Sequence, residues 1–216
     1  MSGPEFATNR YLQFEKSLKK YVPQILTQSS RKLLDIGCGT GHFLKVAEQH
    51  SWEVEGIEIS SKAAQDASKK IHGEIFVGDL LSIDFSTHNY DVITLYHVIE
   101  HLLDPICFLR RIKELLKPNG ILFLETPNIN SIGFKLTQEK WSHLIPPEHI
   151  IYFQPDSLSF ALKKTDFTSN YIYTISPQII ESLQKYPHIV QNLGKLIYKG
   201  SCIFNMGPTL QAIAMS

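Results

Sequence analysis

Leu33-Leu34-Asp35-Ile36-Gly37-Cys38-Gly39-Thr40-Gly41-His42-Phe43 is an apolar strand that runs into a glycine-alternating turn and then opens a helix. Gly37 and Gly39 lack a Cβ, so the chain can turn tightly there and its backbone can approach a ligand. Gly41 leads into a helix whose first N–H groups have no internal partner and can receive an anion. Together these features predict a nucleoside-cofactor site. A dinucleotide fingerprint needs G-x-G-x-x-G/A, and that count from Gly37 falls on His42. The spacing is G-x-G-x-G instead, which leaves an NAD oxidoreductase as the runner-up. By itself the triplet is also what an ordinary turn uses.

The residues that follow decide between these readings. Phe43, Leu44, Val46 and Ala47 recur at helical spacing, and Trp52 to Ile59 then alternates as a strand. Glu58 stands at its C-terminal end, where a carboxylate can accept two hydrogen bonds from a ribose diol; an exposed strand-end acid is the plain alternative. Ser60 or Ser61 caps a helix over Lys62 to Ile71. A third strand, Glu74 to Val77, delivers Gly78-Asp79-Leu80. The fourth, Tyr90 to Val98, is the near-continuous apolar run of a parallel strand covered on both faces. Asp104 and Pro105 then read as N-cap and first-turn proline of a helix. Its buried stripe is Ile106, Leu109, Ile112, Leu115 and Leu116, and Lys117 to Gly120 ends it. Strand five is Ile121 to Asn128.

The G-x-G-x-G turn with Asp35 before it and Glu58 after it resembles the S-adenosylmethionine (SAM) site of class I methyltransferases. So does the D-V-I-x-x-x-x-V-I-E-H-L-x-D-P run from Asp91 to Pro105. The resemblance implies SAM as cofactor, held by Asp35, Gly37, Cys38, Gly39 and Gly41, by Glu58 and Ile59, by Gly78, Asp79 and Leu80, and by Tyr96 and His97. Glu58 would meet the ribose, Asp79 the adenine amine, and the end of strand four the methionine part. The implied fold is α/β: a Rossmann-like seven-stranded sheet, mostly parallel, with helices on both faces. Tyr171 to Ile175 would be strand six, and Thr209 to Met215 an antiparallel strand seven entering between five and six.

Pro127 to Phe153 departs from both the strand and the helix period, and a long irregular segment in a compact domain is usually functional. Its W-x-x-x-x-P-P-E-H-I-x-Y-F run, followed by S-L-x-x-x-L and Asp166-Phe167, resembles methyltransferases of small metabolites. Among these are ubiquinone-type O-methyltransferases and deoxysugar C-methyltransferases. The resemblance implies that Trp141, His143 and Tyr152 face the methyl acceptor and that Glu148-His149 lies in its pocket. His149 suits a general base because imidazole titrates near neutrality, and Glu148 would orient it or bind a hydroxyl. Neighbours on an extended chain point opposite ways, so a loop-anchoring role for one of the two stays open. Nine histidines invite a metal, but His97 and His101 are the only i, i+4 pair and straddle a strand end, so none is expected.

Across 216 residues, 21 basic and 21 acidic side chains cancel, which leaves no electrostatic footprint for nucleic acid. No segment has transmembrane length, so no integral membrane contact is expected. Cys38, Cys107 and Cys202 are odd in number and lack metal spacing, as in a reduced, cytoplasmic protein. Residues 1–8 read as a cloning remnant, and 9–216 as one domain. It carries an N-terminal helical cap (9–29), striped by Tyr11, Phe14, Leu18 and Ile25, and a helical insertion (177–205) broken by Pro187. That insertion fits edge packing, a lid, a dimer face or a lipid-facing patch, so the oligomeric state is open. The expected activity is transfer of a methyl group from SAM to the O, C or N atom of a small molecule. SAM chemistry of another kind, or a silent nucleoside-binding partner protein, are the alternatives.

Overall fold

Seven strands make one sheet in the computed structural model, which describes residues 3–85, 90–176 and 188–216. The strands are β1 (Lys32–Ile36), β2 (Glu53–Glu58), β3 (Ile75–Val77), β4 (Tyr90–Tyr96), β5 (Leu116–Pro127), β6 (Thr168–Ile175) and β7 (Thr209–Met215). Their order is β3-β2-β1-β4-β5-β7-β6. β1 to β5 pair in parallel, and β7 runs antiparallel between β5 and β6, as the resemblance implied. Because β1 connects toward β2 while β4 connects toward β5, a crevice opens between the C-terminal ends of β1 and β4, the switch point where such sheets bind ligands.

Successive side chains of a strand point to opposite faces, and the core divides accordingly. Leu34, Ile93, Leu122 and Ala212 pack with α4 (Pro105–Leu115) and α6 (Pro155–Lys164). Leu33, Val92, Phe123 and Ile213 pack with α1 (Pro4–Tyr21) and α2 (His42–Gln49). On this second face α1 buries Tyr11, Phe14 and Leu18, and the Trp52 indole donates to the Tyr11 hydroxyl at 3.1 Å. The remaining helices are α3 (Ser61–Ser68), α5 (Ile132–Thr137) and α7 (His188–Ile203).

Several boundaries differ from expectation. α1 begins at Pro4, inside the stretch set aside as a remnant; Pro at the first helical position has no N–H to leave unpaired. Leu116 belongs to β5, not to the preceding helix, where it pairs with Tyr90 before a register shift. α3 stops at Ser68 rather than Ile71, with the Ser60 hydroxyl capping its start through the Ala63 N–H. β6 starts three residues early, at Thr168. The irregular segment after β5 contains α5, a helix of 6 residues capped by Ser131 and too short to show a period. Of the insertion, 177–187 lies outside the described residues, and α7 supplies its second half.

Candidate active site

The glycine turn is built around one carboxylate. Glu58, 9% exposed at the end of β2, accepts the Gly39 N–H at 2.8 Å through one oxygen and the Ser60 N–H at 2.8 Å through the other. Each oxygen keeps a second lone pair, so the acid can hold the loop and still accept from a diol. The glycines do three different things. A Cβ on Gly37 would lie 2.6 Å from Val98 Cγ2, and one on Gly41 2.9 Å from the Ala67 backbone. Gly39 has φ +54 and, among the described residues, nothing within 4 Å of its would-be Cβ, so the space over it is open.

Two clefts meet at Gly37. The larger, about 780 Å³, is lined by Glu58, Ile59, Gly78, Asp79, Leu80 and His97 among others. Ile59 is 74% exposed and offers an apolar wall, while the Asp79 carboxylate caps the next turn through the Leu81 N–H at 2.7 Å. The smaller, about 570 Å³, is lined by Asp35, Cys38, Gly39, Tyr96 and, from α1, Phe6 and Arg10. All twelve residues expected at the cofactor, apart from Gly41, line one cleft or the other; Gly41 packs α2 on α3 instead. Cys38 is buried and its thiol pKa is pushed up by burial first and by Asp35 and Glu58 next, so it is inert.

The smaller cleft holds charge in a low-dielectric place. Asp35 accepts the Thr94 hydroxyl at 2.7 Å, and burial raises its pKa to about 7 against the opposing pull of that bond and of Arg10. The Arg10 guanidinium lies over the Phe6 ring at 4.7 Å and the Tyr96 ring at 4.3 Å. The Tyr96 hydroxyl is buried and, among the described residues, has no hydrogen-bond partner. An orphaned hydroxyl, an arginine and an acid in one cleft fit the carboxylate and ammonium of an amino-acid moiety, as SAM carries. The chemistry of both clefts therefore suits that cofactor.

Behind them runs a buried ionic chain that sequence reasoning missed. His97 approaches Glu100 through Nδ1 at 3.1 Å and Glu125 through Nε2 at 3.2 Å. Burial alone would lower its pKa, but the two carboxylates outweigh burial and raise it to about 9. Glu125 also takes the Gln211 amide at 2.6 Å and lies 3.7 Å from Arg10. The signal was present: Glu125 interrupts the apolar run of β5, and a buried acid needs partners.

In the segment expected at the acceptor, the N–H groups of Ile150 and Ile151 donate to the Glu100 carbonyl at 2.8 and 3.1 Å, which holds that part of the chain against the turn after β4. His149 donates from Nδ1 to the His143 carbonyl at 2.8 Å. That bond fixes the neutral tautomer and leaves Nε2 as the only acceptor. Glu148 does not orient it: its side chain is exposed, and its carbonyl takes His101 Nδ1 at 2.7 Å. Trp141 is 6% exposed and meets the rings of Phe134, His143 and Tyr152, so it is a wall more than a contact group. The Tyr152 hydroxyl accepts the Ile145 N–H at 3.3 Å. His143 is half-buried; burial first, then the His97 and His149 charges, lower its pKa, so it is neutral at pH 7. Glu100, His101 and His149 bring possible ligand atoms within 4.8 Å of one another. Glu100, however, already serves His97 and the Thr126 hydroxyl at 2.9 Å, a poor fit for a cation.

The comparisons with known proteins agree with this geometry. Residues 6–171 match a family described as a methyltransferase domain. The ubiquinone biosynthesis O-methyltransferase of Cereibacter sphaeroides is 26% identical over 200 residues, covering 74% of this chain and 77% of its own length. The Coxiella burnetii protein of that name is 28% identical over 123 residues, covering 55% and 53%. Among solved structures, a SAM-dependent methyltransferase from Archaeoglobus fulgidus superposes with a TM-score of 0.68 at 22% identity, over 100% of this chain and 95% of that one. The plantazolicin methyltransferase BpumL bound to S-adenosylhomocysteine gives 0.69 at 21%, over 98% and 85%. The chain belongs to the methyltransferase domain family and is a class I SAM-dependent methyltransferase. It uses SAM as cofactor to methylate a small-molecule acceptor. Among the described residues, no helix is long and apolar enough to cross a membrane.

Proposed function

We propose that the acceptor sits between the strand-end clefts and segment 141–153, with His149 as the base that receives its proton. The observation that carries this is the pair of bonds from Ile150 and Ile151 to Glu100, which brings His149 to the end of β4. SAM supplies an electrophilic methyl group. Because such a transfer is an in-line displacement, this chain's task is chiefly to hold the reactants in line. In this reading Glu58 and Asp79 take the nucleoside end, with Ile59, Gly78 and Leu80 as walls. Arg10, Asp35 and the Tyr96 hydroxyl take the amino-acid end, and α1 closes the cleft as a cap on a single domain. Trp141, His143 and Tyr152 frame the acceptor. The free thiols of Cys38, Cys107 and Cys202 support a reducing, cytoplasmic setting.

Calorimetry tests the cofactor assignment. SAM and S-adenosylhomocysteine should bind, and tighter binding of NAD would sink it. Glu58→Gln should weaken SAM by about 10- to 100-fold, the range for losing hydrogen bonds to a charged group.

Asp35 gives a pH dependence of definite sign. A buried acid whose pKa is raised costs the empty fold stability as pH climbs from the unfolded value toward about 7. An ammonium ligand prefers the ionised form. SAM affinity should therefore rise with pH, by up to about tenfold per unit, and level off above 7. Below pH 7 binding should release a proton, seen as a dependence of the measured heat on the buffer's ionisation enthalpy; Asp35→Asn should remove both effects.

A further inference from the structure

We propose that the His97 side chain is a positioning residue for methyl transfer: pinned between Glu100 and Glu125, it fixes the Glu100 carbonyl from which the acceptor-side segment hangs. The inference rests on segment 141–153 being the acceptor side, as argued above.

His97 follows β4 with φ +54, a left-handed conformation that is strained for a residue with a Cβ. Its own N–H donates to the Glu125 carbonyl at 2.9 Å, so the backbone is held in that turn while the ring swings between the two acids. A carboxylate only accepts, and both ring nitrogens donate only in the doubly protonated imidazolium. The ring is thus a cation shared by two anions. Each anion is completed from another strand: Glu100 Oε2 by the Thr126 hydroxyl, Glu125 Oε2 by the Gln211 amide. With Arg10 near Glu125, two cations face two anions in a place where an uncompensated charge is expensive.

This arrangement has a mechanical consequence. Glu100 belongs to a single 3-10 turn, Ile99–His101, which has few bonds of its own to hold it. Its side chain is tied to His97 and Thr126, and its carbonyl receives Ile150 and Ile151 directly after His149. A further bond, from His101 to the Glu148 carbonyl, runs the same way. Releasing the Glu100 carboxylate would free the turn, and with it the residues that place His149.

Amide hydrogen exchange on the whole protein tests this. In His97→Gln, which has no cation to share, exchange at Ile150 and Ile151 should accelerate at least tenfold. The Gly39 and Ser60 amides, held by Glu58, should change less than twofold. Unchanged exchange at Ile150 and Ile151 would overturn the proposal. So would a uniform acceleration of all these amides, which would mark His97 as a general stabiliser. If His97→Gln fails to fold, Thr126→Val decides: it removes only the second tie on Glu100 and should accelerate the same two amides about threefold, and no change there overturns the idea. Turnover and acceptor KM of His149→Asn separate the two claims: if both matched the unaltered protein, segment 141–153 would not be the acceptor side, whatever the exchange shows.

Discussion

Gly39→Asp should lose SAM binding by more than 100-fold while the protein stays folded. The position is left-handed, φ +54, so any side chain there costs about 1–2 kcal/mol. Among the described residues nothing beyond its chain neighbours lies within 4 Å of the added Cβ, so the fold meets that strain without a steric clash. The new carboxylate would occupy the open space over the turn, and would stand beside the Glu58 acid that accepts the Gly39 N–H. Gly39→Ala controls for strain: it should melt about as Gly39→Asp does but keep measurable SAM affinity. Gly41→Val should behave in the opposite way. There the Cβ meets Ala67 backbone at 2.9 Å, so α2 and α3 cannot pack and the cooperative melt should collapse. Calorimetry and thermal melts on the three variants separate the effects. If Gly39→Asp bound SAM like the unaltered protein, the cofactor would not lie over this turn.

What could be read from the sequence follows physical range. The strand that ends in Asp35-Ile36, the glycine turn, Glu58 at the end of β2 and the Asp104-Pro105 helix start are local signals, and each stands where expected in the chain. Arg10 was not legible. It sits in a helix whose buried stripe announces packing, and nothing in its neighbours reveals that its guanidinium reaches across Tyr96 into the cleft. The orienting role given to Glu148, one of the two it could have, met a similar obstacle. Sequence adjacency suggested that it orients His149, whereas the His143 carbonyl does so six residues back, through a loop that folds on itself. The ionic chain of His97, Glu100 and Glu125 joins residues from the end of β4, a turn and β5, and only the parallel pairing of β4 with β5 brings them together.

His149→Asn and His149→Gln should differ, and the difference decides what His149 does. Asparagine carries its amide nitrogen near the place of Nδ1, so it can still donate to the His143 carbonyl and keep the loop closed. It has nothing at the place of Nε2. Glutamine reaches that outer place but gives up the anchor. If His149 takes the acceptor's proton, Asn should slow S-adenosylhomocysteine formation by about 100-fold or more, the usual worth of a general base. SAM affinity and melting temperature should then stay close to those of the unaltered protein, because the clefts and the anchor are untouched. The measurement is turnover with any acceptor the unaltered enzyme methylates, beside a melt and a SAM titration. A full rate in Asn with a large loss in Gln would make His149 a loop anchor. His143, whose pKa burial lowers and whose ring lies in the same segment, would then be the next base to test, beside an acceptor that is already ionised and needs none.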